Sequence, residues 1–216
     1  MSTLILIDLD GTLLNTPHFE AWRNTAFKIG GIELIHEEYI DHIAGRPRME
    51  GASRLLELKR DAQVQSEFHS LNASELADYK QNEFQRLCVG TELFNDALHL
   101  LQRIDDAGLT VIFYTASQNA PDLFNITLRQ SALSLKRAKT VSQQLANQTR
   151  GELFQQLIGT RPVKDIHLID DSPYAVDLAC SLGVHAWQIR RNQRGPMPRD
   201  PRVSILSSLD EFMLPK

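Results

Sequence analysis

The chain has 216 residues, a formal net charge of −4 and 42% apolar residues. This length allows one sizeable core, or a core with one inserted subdomain. The absence of a long apolar span or a run of like charge argues against a membrane or nucleic acid as partner. Cys88 and Cys180 form no metal-binding pair. Without a recognisable signal peptide they predict reduced thiols in a cytoplasmic protein.

The first stretch is an apolar run over residues 4–7 that leads directly into Asp8, Asp10 and Gly11. Such a run predicts a buried strand, whose polar continuation should lie where open parallel sheets place their ligand crevice. Two acids aimed into one crevice repel each other, so they need a cation or a shared proton. The alternative, that Asp8 and Asp10 only end the strand, would leave that electrostatic cost without a purpose.

Residues 17–88 predict helices and no strand. Pro17 is expected at the start of the first helix, with Trp22 on its apolar stripe, and Asn72 is the predicted N-cap of the last. The predicted helical segments run from 17 to 30, from 36 to 44, through 55–58 and from 72 to 88. This segment is therefore expected to be an all-helical cap domain inserted after the first strand.

From residue 89 onwards predicted strands and helices alternate. The strands are expected at 109–114, 165–169, 184–189 and 203–206, and no element is assigned to 131–149. Alternation of this kind predicts an α/β fold, a Rossmann-like doubly wound parallel sheet covered by helices on both faces. Residues 1–16 and 89–216 would form this core domain.

Two more predicted strands end in polar residues, one in Thr115-Ala116-Ser117 and the other in Asp170-Asp171. Parallel strands bring such ends, together with the first stretch, to one edge of the sheet. Hard oxygen ligands of this kind suit Mg²⁺, which takes a few carboxylates together with substrate phosphate.

These residues carry a resemblance to a known family. Asp8-Leu9-Asp10-Gly11-Thr12-Leu13 resembles the first motif of the haloacid dehalogenase-like superfamily, whose members are mostly phosphatases. Thr115 is similar to the second motif, and Ile169-Asp170-Asp171 to the fourth. The resemblance covers the whole chain and implies the predicted fold, with an α-helical cap after the first strand and Mg²⁺ as cofactor.

The resemblance also implies roles. Asp8 would be the nucleophile that forms an aspartyl-phosphate, and Asp10 the general acid and base. Asp8, the Asp10 backbone carbonyl and Asp171 would hold Mg²⁺, with Asp170 close behind them. Thr115 would donate to a phosphate oxygen, unless its hydroxyl only shapes a turn.

Two further features refine this picture. An acid at Asp10 favours phosphate esters, because the dehalogenase branch has Tyr at the corresponding position and the phosphonatase branch has Ala. Ser117 and Asn119 are either further substrate-binding residues or part of the cap of the next helix.

The third motif departs from the family pattern, because its usual Lys-Pro pair is absent. Arg150 opens a predicted helix twenty residues before Asp170 and is the first candidate for the missing cation. Lys139 is the second candidate, on condition that the polar segment around it folds back. Either residue could instead be a solvated surface cation.

The helical segment carries a second resemblance, to β-phosphoglucomutase-type members of the superfamily. The residues that carry this resemblance are Gly45-Arg46-Pro47-Arg48, His18 with Trp22, and Lys80. It implies that Arg48 grips a phosphate far from the reacting one, and that His18 and Lys80 act near the nucleophile. The alternatives are a surface position for Arg48, exposed helix positions for His18 and Lys80, and a packing role for Trp22.

The sequence therefore predicts a Mg²⁺-dependent phosphatase of a small phosphorylated metabolite, acting through Asp8, in a monomer or homodimer. The second hypothesis is a β-phosphoglucomutase-like sugar-phosphate mutase with the same nucleophile. The third is a non-catalytic binding or regulatory protein on the same fold, which would usually have lost Asp8 or Asp10.

Overall fold

The computed structural model describes residues 3–58, 71–143, 148–191 and 196–215. The chain divides into two compact units, Met1–Asn15 with Glu92–Lys216, and Thr16–Thr91. We call them the core unit and the helical unit. The sequence placed the corresponding boundaries after residues 16 and 88.

The helices of the described residues divide evenly between the two units. In chain order they are α1 (His18–Gly30), α2 (His36–His42), α3 (Arg48–Leu58), α4 (Ala73–Leu87), α5 (Asn95–Asp106), α6 (Ala120–Gln130), α7 (Arg150–Ile158) and α8 (Pro173–Ser181). Short 3₁₀ turns lie at Val163–Asp165 and Leu209–Glu211.

The strands of the described residues form a single parallel sheet. They are β1 (Leu4–Asp8), β2 (Thr110–Thr115), β3 (Ala138–Ser142), β4 (Ile166–Asp170), β5 (His185–Ile189) and β6 (Ser204–Leu206), in the spatial order β3-β2-β1-β4-β5-β6. The chain order reverses beside β1, and a crevice opens at the carboxyl ends of the strands at such a point. The predicted doubly wound α/β fold is confirmed.

Both faces of the sheet are covered by helices, which is why every residue of β1 is buried. Ile5 and Ile7 belong to the core on one face, together with buried residues of α5 and α6. Leu4 and Leu6 belong to the core on the other face, together with buried residues of α7 and α8. This alternation fixes the register of β1 and therefore the position of the acids that follow it.

The helical unit has its own apolar core, to which Trp22 contributes as a buried side chain. A Cβ on Gly51 would lie only 3.1 Å from Trp22, so a glycine in α3 permits this close packing. Gly31, with a φ of 65°, ends α1. Asn72 and Glu75 form the capping box that begins α4.

Two local predictions were wrong. Residues 138–142, to which no element was assigned, form β3; it lies at the edge of the sheet and keeps polar, exposed residues such as Lys139, which hide the strand pattern. Pro17 is the N-cap of α1 and not its first helical residue. Residues 59–70 of the predicted all-helical segment lie outside the described ranges.

Candidate active site

The first stretch ends in a tight turn at the carboxyl end of β1. Asp8 is the last residue of the strand and is buried, while Asp10 lies in the turn and is half-buried. The Leu14 amide donates to the Leu9 carbonyl at 2.8 Å, which closes the turn. Gly11 adopts a φ of +79°, a backbone conformation that side chains other than glycine rarely adopt.

Three carboxylates meet beside this turn. One ligand oxygen from each of Asp8, Asp170 and Asp171 lies within 4.8 Å of the others. A Cβ on Gly11 would overlap with the carboxylate of Asp171, so the turn after β1 packs directly against the residue that follows β4. Asp8 and Asp170 are buried and Asp171 is half-buried.

The electrostatics of this cluster favour a bound cation. Burial raises the pKa of Asp8 well above its ordinary value, and the charges of Asp170 and Asp171 raise it further. Burial likewise raises the pKa of Asp171, and the charges of Asp170 and Asp10 raise it further. Acids that repel in this way need a compensating positive charge or a shared proton. The donors are all hard oxygens, so the residues fit Mg²⁺.

Protein groups already hold Asp170 on both of its oxygens. Oδ2 accepts hydrogen bonds from the Tyr114 hydroxyl at 2.7 Å and from Nη1 of Arg150 at 3.4 Å. Oδ1 accepts one from the Ser172 amide at 2.7 Å. The sequence does not indicate Tyr114 as a site residue, because it is the last residue of the strand predicted over 109–114. Its position directly before Thr115 was the available signal.

The two candidate cations of the third motif lie in different surroundings. Arg150 is the first residue of α7, and its side chain is only 4% exposed beside Asp170, which is 1% exposed. Burial alone would lower the pKa of Arg150, but the charge of Asp170 and its neighbours outweighs burial and raises it, so the cation is retained. Lys139 is exposed and lies inside β3, not at its carboxyl end. Of the two, Arg150 is the residue next to the carboxylates.

The hydroxyl of Thr115 links the end of β2 to the first turn. Its Oγ1 donates to Oδ2 of Asp10 at 2.7 Å and accepts from the Ser117 amide at 2.9 Å. Oγ of Ser117 in turn accepts from the Asn119 amide at 3.1 Å, and Asn119 is the N-cap of α6. The Ser117 hydroxyl therefore helps to shape the turn before α6, whereas the Asn119 side chain makes no hydrogen bond that caps this helix.

The predicted substrate-binding residues of the helical unit form two contacts within that unit. Nη1 of Arg48, the first residue of α3, donates to Oε1 of Gln81 at 2.6 Å. Nζ of Lys80 lies 2.7 Å from Nδ1 of His18, whose ring stacks on Phe84 with centroids 4.4 Å apart. Lys80 is buried and His18 half-buried, so the alternative of exposed helix positions was wrong for both.

No protein-family model matches the sequence, and a search of curated proteins gives no match either. Solved structures do match over almost the whole chain. A β-phosphoglucomutase from Clostridium difficile is 18% identical with a TM-score of 0.76, covering 99% of this chain and 94% of that one. CbbY from Rhodobacter sphaeroides, solved with phosphate, is 17% identical with a TM-score of 0.71, covering 98% and 96%.

A conserved haloacid dehalogenase-like protein of unknown function from Agrobacterium tumefaciens is also similar, at 15% identity and a TM-score of 0.70, covering 98% of this chain and 96% of that one. At these identities the similarity establishes the fold. The chain has the haloacid dehalogenase-like fold, shared with β-phosphoglucomutases, and the resemblance seen in the sequence is confirmed at that level. Among the described helices, none is both long and apolar enough to cross a membrane.

Proposed function

We propose that this protein is a Mg²⁺-dependent phosphatase of small phosphorylated metabolites that acts through an aspartyl-phosphate on Asp8. The observation that carries the proposal is the approach of Asp8, Asp170 and Asp171 within 4.8 Å at the end of β1. Asp10, two residues after Asp8, is held by Thr115 and provides an acid beside the cluster.

The residues divide the chemistry between them. Asp8, Asp171 and the backbone carbonyl of Asp10 would hold Mg²⁺, which, when bound, offsets the charge of the acids and of the substrate phosphate. The Asp8 carboxylate attacks phosphorus, and the bond from phosphorus to the ester oxygen breaks. The carboxylic acid of Asp10 donates its proton to the leaving oxygen. Its carboxylate then takes a proton from water, which attacks phosphorus, frees inorganic phosphate and regenerates Asp8.

Two further residues support this chemistry. Thr115 has a single hydroxyl proton, so it can donate either to Asp10 or to a phosphate oxygen. Arg150 supplies positive charge behind the nucleophile through Asp170, and its charge lowers the pKa of Asp8 against the effect of burial. We assign Arg150 the charge-compensating role of the third motif.

A sugar-phosphate mutase is the second candidate, because a β-phosphoglucomutase is among the similar structures. A mutase must return the phosphoryl group to a flipped intermediate, so it needs a grip on a second phosphate. Arg48 is the predicted grip. CbbY, another similar structure, was solved with phosphate and, as a variant, with a xylulose bisphosphate. Substrates with two anionic groups therefore belong in any screen.

The phosphatase proposal is tested by phosphate release from an aryl phosphate in Mg²⁺ buffer. Asp8→Asn should lower kcat by at least about 10³-fold while the protein stays folded, because the nucleophile is lost. Asp78→Asn, at an exposed position of α4, is the matched control and should keep full activity. Activity that survives Asp8→Asn would refute the nucleophile assignment, and no release from any ester would favour the non-catalytic hypothesis.

The mutase is separated from the phosphatase by its product. Hexose 1-phosphate is incubated with Mg²⁺ and a catalytic amount of hexose bisphosphate, and both isomer formation and inorganic phosphate are measured. Phosphate release without the 6-phosphate isomer supports the phosphatase. Isomer formation that exceeds phosphate release would replace it with the mutase.

A further inference from the structure

An arginine outside every motif is bonded to the turn that carries Asp10. Arg191 lies just beyond the end of β5. Its Nη2 donates to the Thr12 carbonyl at 2.6 Å and its Nε to the Gly11 carbonyl at 3.3 Å. Its Nη1 donates to Oδ2 of Asp96 at 2.8 Å. The guanidinium carbon lies 3.7 Å from the centroid of the Phe94 ring.

These bonds fix Arg191 in position. The side chains of Arg191 and Asp96 are only 20% and 12% exposed, so water screens their ion pair poorly. Two further hydrogen bonds hold Asp96, because its Oδ2 also accepts from the Leu209 amide and the Ser208 hydroxyl. Burial alone would raise the pKa of Asp96, but the hydrogen bonds from Arg191 and Leu209 outweigh it and lower the pKa, so the carboxylate stays charged.

The turn held by Arg191 packs closely against Asp171 of the acid cluster. Gly11 follows Asp10 directly, and its Cα approaches Asp171 so closely that a Cβ would overlap with that carboxylate. Movement of the Gly11 and Thr12 carbonyls would therefore change the position of Asp10 relative to Asp171. The planar guanidinium offers donors at fixed angles, so it can hold two successive carbonyls and a carboxylate at once.

We propose that Arg191 is a positioning residue for Asp10. It holds the turn after β1 in place against Asp171, and with it the carboxyl group of Asp10, which exchanges protons with the leaving oxygen and with water. The inference rests on the proposed function, since proton transfer by Asp10 is the step that the position serves. A lysine would keep the charge opposite Asp96, but a single ammonium group cannot reproduce the fork that holds both carbonyls.

The kinetic test uses Arg191→Lys and phosphate release from an aryl phosphate. We expect kcat to fall by about 10²-fold, the effect of a small misplacement of a catalytic group. KM should change by less than about threefold, because substrate binding is not affected. Arg202→Lys is the matched control, since Arg202 also bonds a carboxylate and a carbonyl, those of Asp200 and Cys180. It should keep kcat.

A second measurement does not depend on activity. The Gly11 amide donates to the Leu14 carbonyl within the turn, so its hydrogen exchange reports whether the turn is held. In Arg191→Lys, exchange over residues 11–14 should be at least about tenfold faster, and in Arg202→Lys unchanged. A rise in KM with kcat intact would overturn the proposal, and so would faster exchange without loss of kcat. An inactive wild-type protein would refute the proposed function, while unchanged exchange in Arg191→Lys would refute the positioning role by itself.

Discussion

Replacing Asp171 with Asn should stabilise the metal-free protein while removing its response to Mg²⁺. The ligand oxygens of Asp8, Asp170 and Asp171 lie within 4.8 Å of one another. At that distance and an effective dielectric constant of about 20, two ionised carboxylates repel each other by about 3.5 kcal/mol. Partial protonation relieves some of this repulsion, so we expect Asp171→Asn to raise the free energy of unfolding by about 1–3 kcal/mol at pH 7.

The increase in the free energy of unfolding caused by Asp171→Asn should depend on pH in a defined direction. The folded-state pKa values of Asp8 and Asp171 are raised above the ordinary value of 3.8. The metal-free folded state therefore binds protons more tightly than the unfolded chain, and its stability falls as the pH rises above about 4. Asp171→Asn removes one of these groups, so its advantage over the wild type should grow between about pH 4 and pH 7.

Urea unfolding with EDTA and with Mg²⁺ measures both effects. Mg²⁺ at a hundred times its Kd should stabilise the wild type by about 2.7 kcal/mol. It should stabilise Asp171→Asn far less. Asp78→Asn removes the same charge at an exposed position of α4 and should leave both values unchanged. The reasoning fails if Asp171→Asn is less stable than the wild type in EDTA, or if Mg²⁺ stabilises the two equally.

Three further predictions concern the surroundings of the site and the helical unit. Arg150→Met should lower kcat about 10²-fold, with partial recovery in Arg150→Lys and no loss in Lys139→Met; a loss in Lys139→Met alone would reverse the third-motif assignment. Arg48→Ala should raise KM at least about tenfold for substrates with two anionic groups and leave aryl phosphate unchanged, and equal effects on both would contradict a distal grip. The pKa of Glu83 is lowered from 4.5 to about 2, chiefly by the hydrogen bond from Arg86. The contribution of Glu83 to the free energy of unfolding is therefore present above pH 4.5 and lost as the pH falls towards 2. Glu83→Gln should cost about 1 kcal/mol at neutral pH and flatten this acid limb in urea titrations, and an unchanged limb would contradict it.

Much of the fold was predictable because the relevant signals are local. The apolar run before Asp8 marks a strand buried on both faces, and Asn72 with Glu75 marks a helix start by the hydrogen bonds that these side chains make. The edge strand β3 was missed because an edge has one pairing partner and keeps polar residues such as Lys139 on its surface.

The surroundings of the acids were less predictable, because they depend on residues far apart in the chain. Tyr114 is 56 residues from Asp170, and Arg191 is 179 residues from Thr12. Neither belongs to a motif, and an aromatic residue at a strand end or an arginine after a strand is ordinary in a sequence. The parallel sheet places the carboxyl ends of β2, β4 and β5 close to that of β1, so that Tyr114 reaches Asp170 and Arg191 reaches the turn after Asp10.

The sequence by itself determined the fold class, five of the six described strands and the acids at the ends of β1 and β4. These depend on hydrophobic periodicity and on residue types that only certain positions tolerate. The tertiary structure decided which cation accompanies the acids, because burial and distance separate Arg150 from Lys139 while composition does not. It also decided how closely the turn with Asp10 approaches Asp171, since Gly11 leaves no room for a Cβ there. That approach depends on the packing of two loops that lie far apart along the chain.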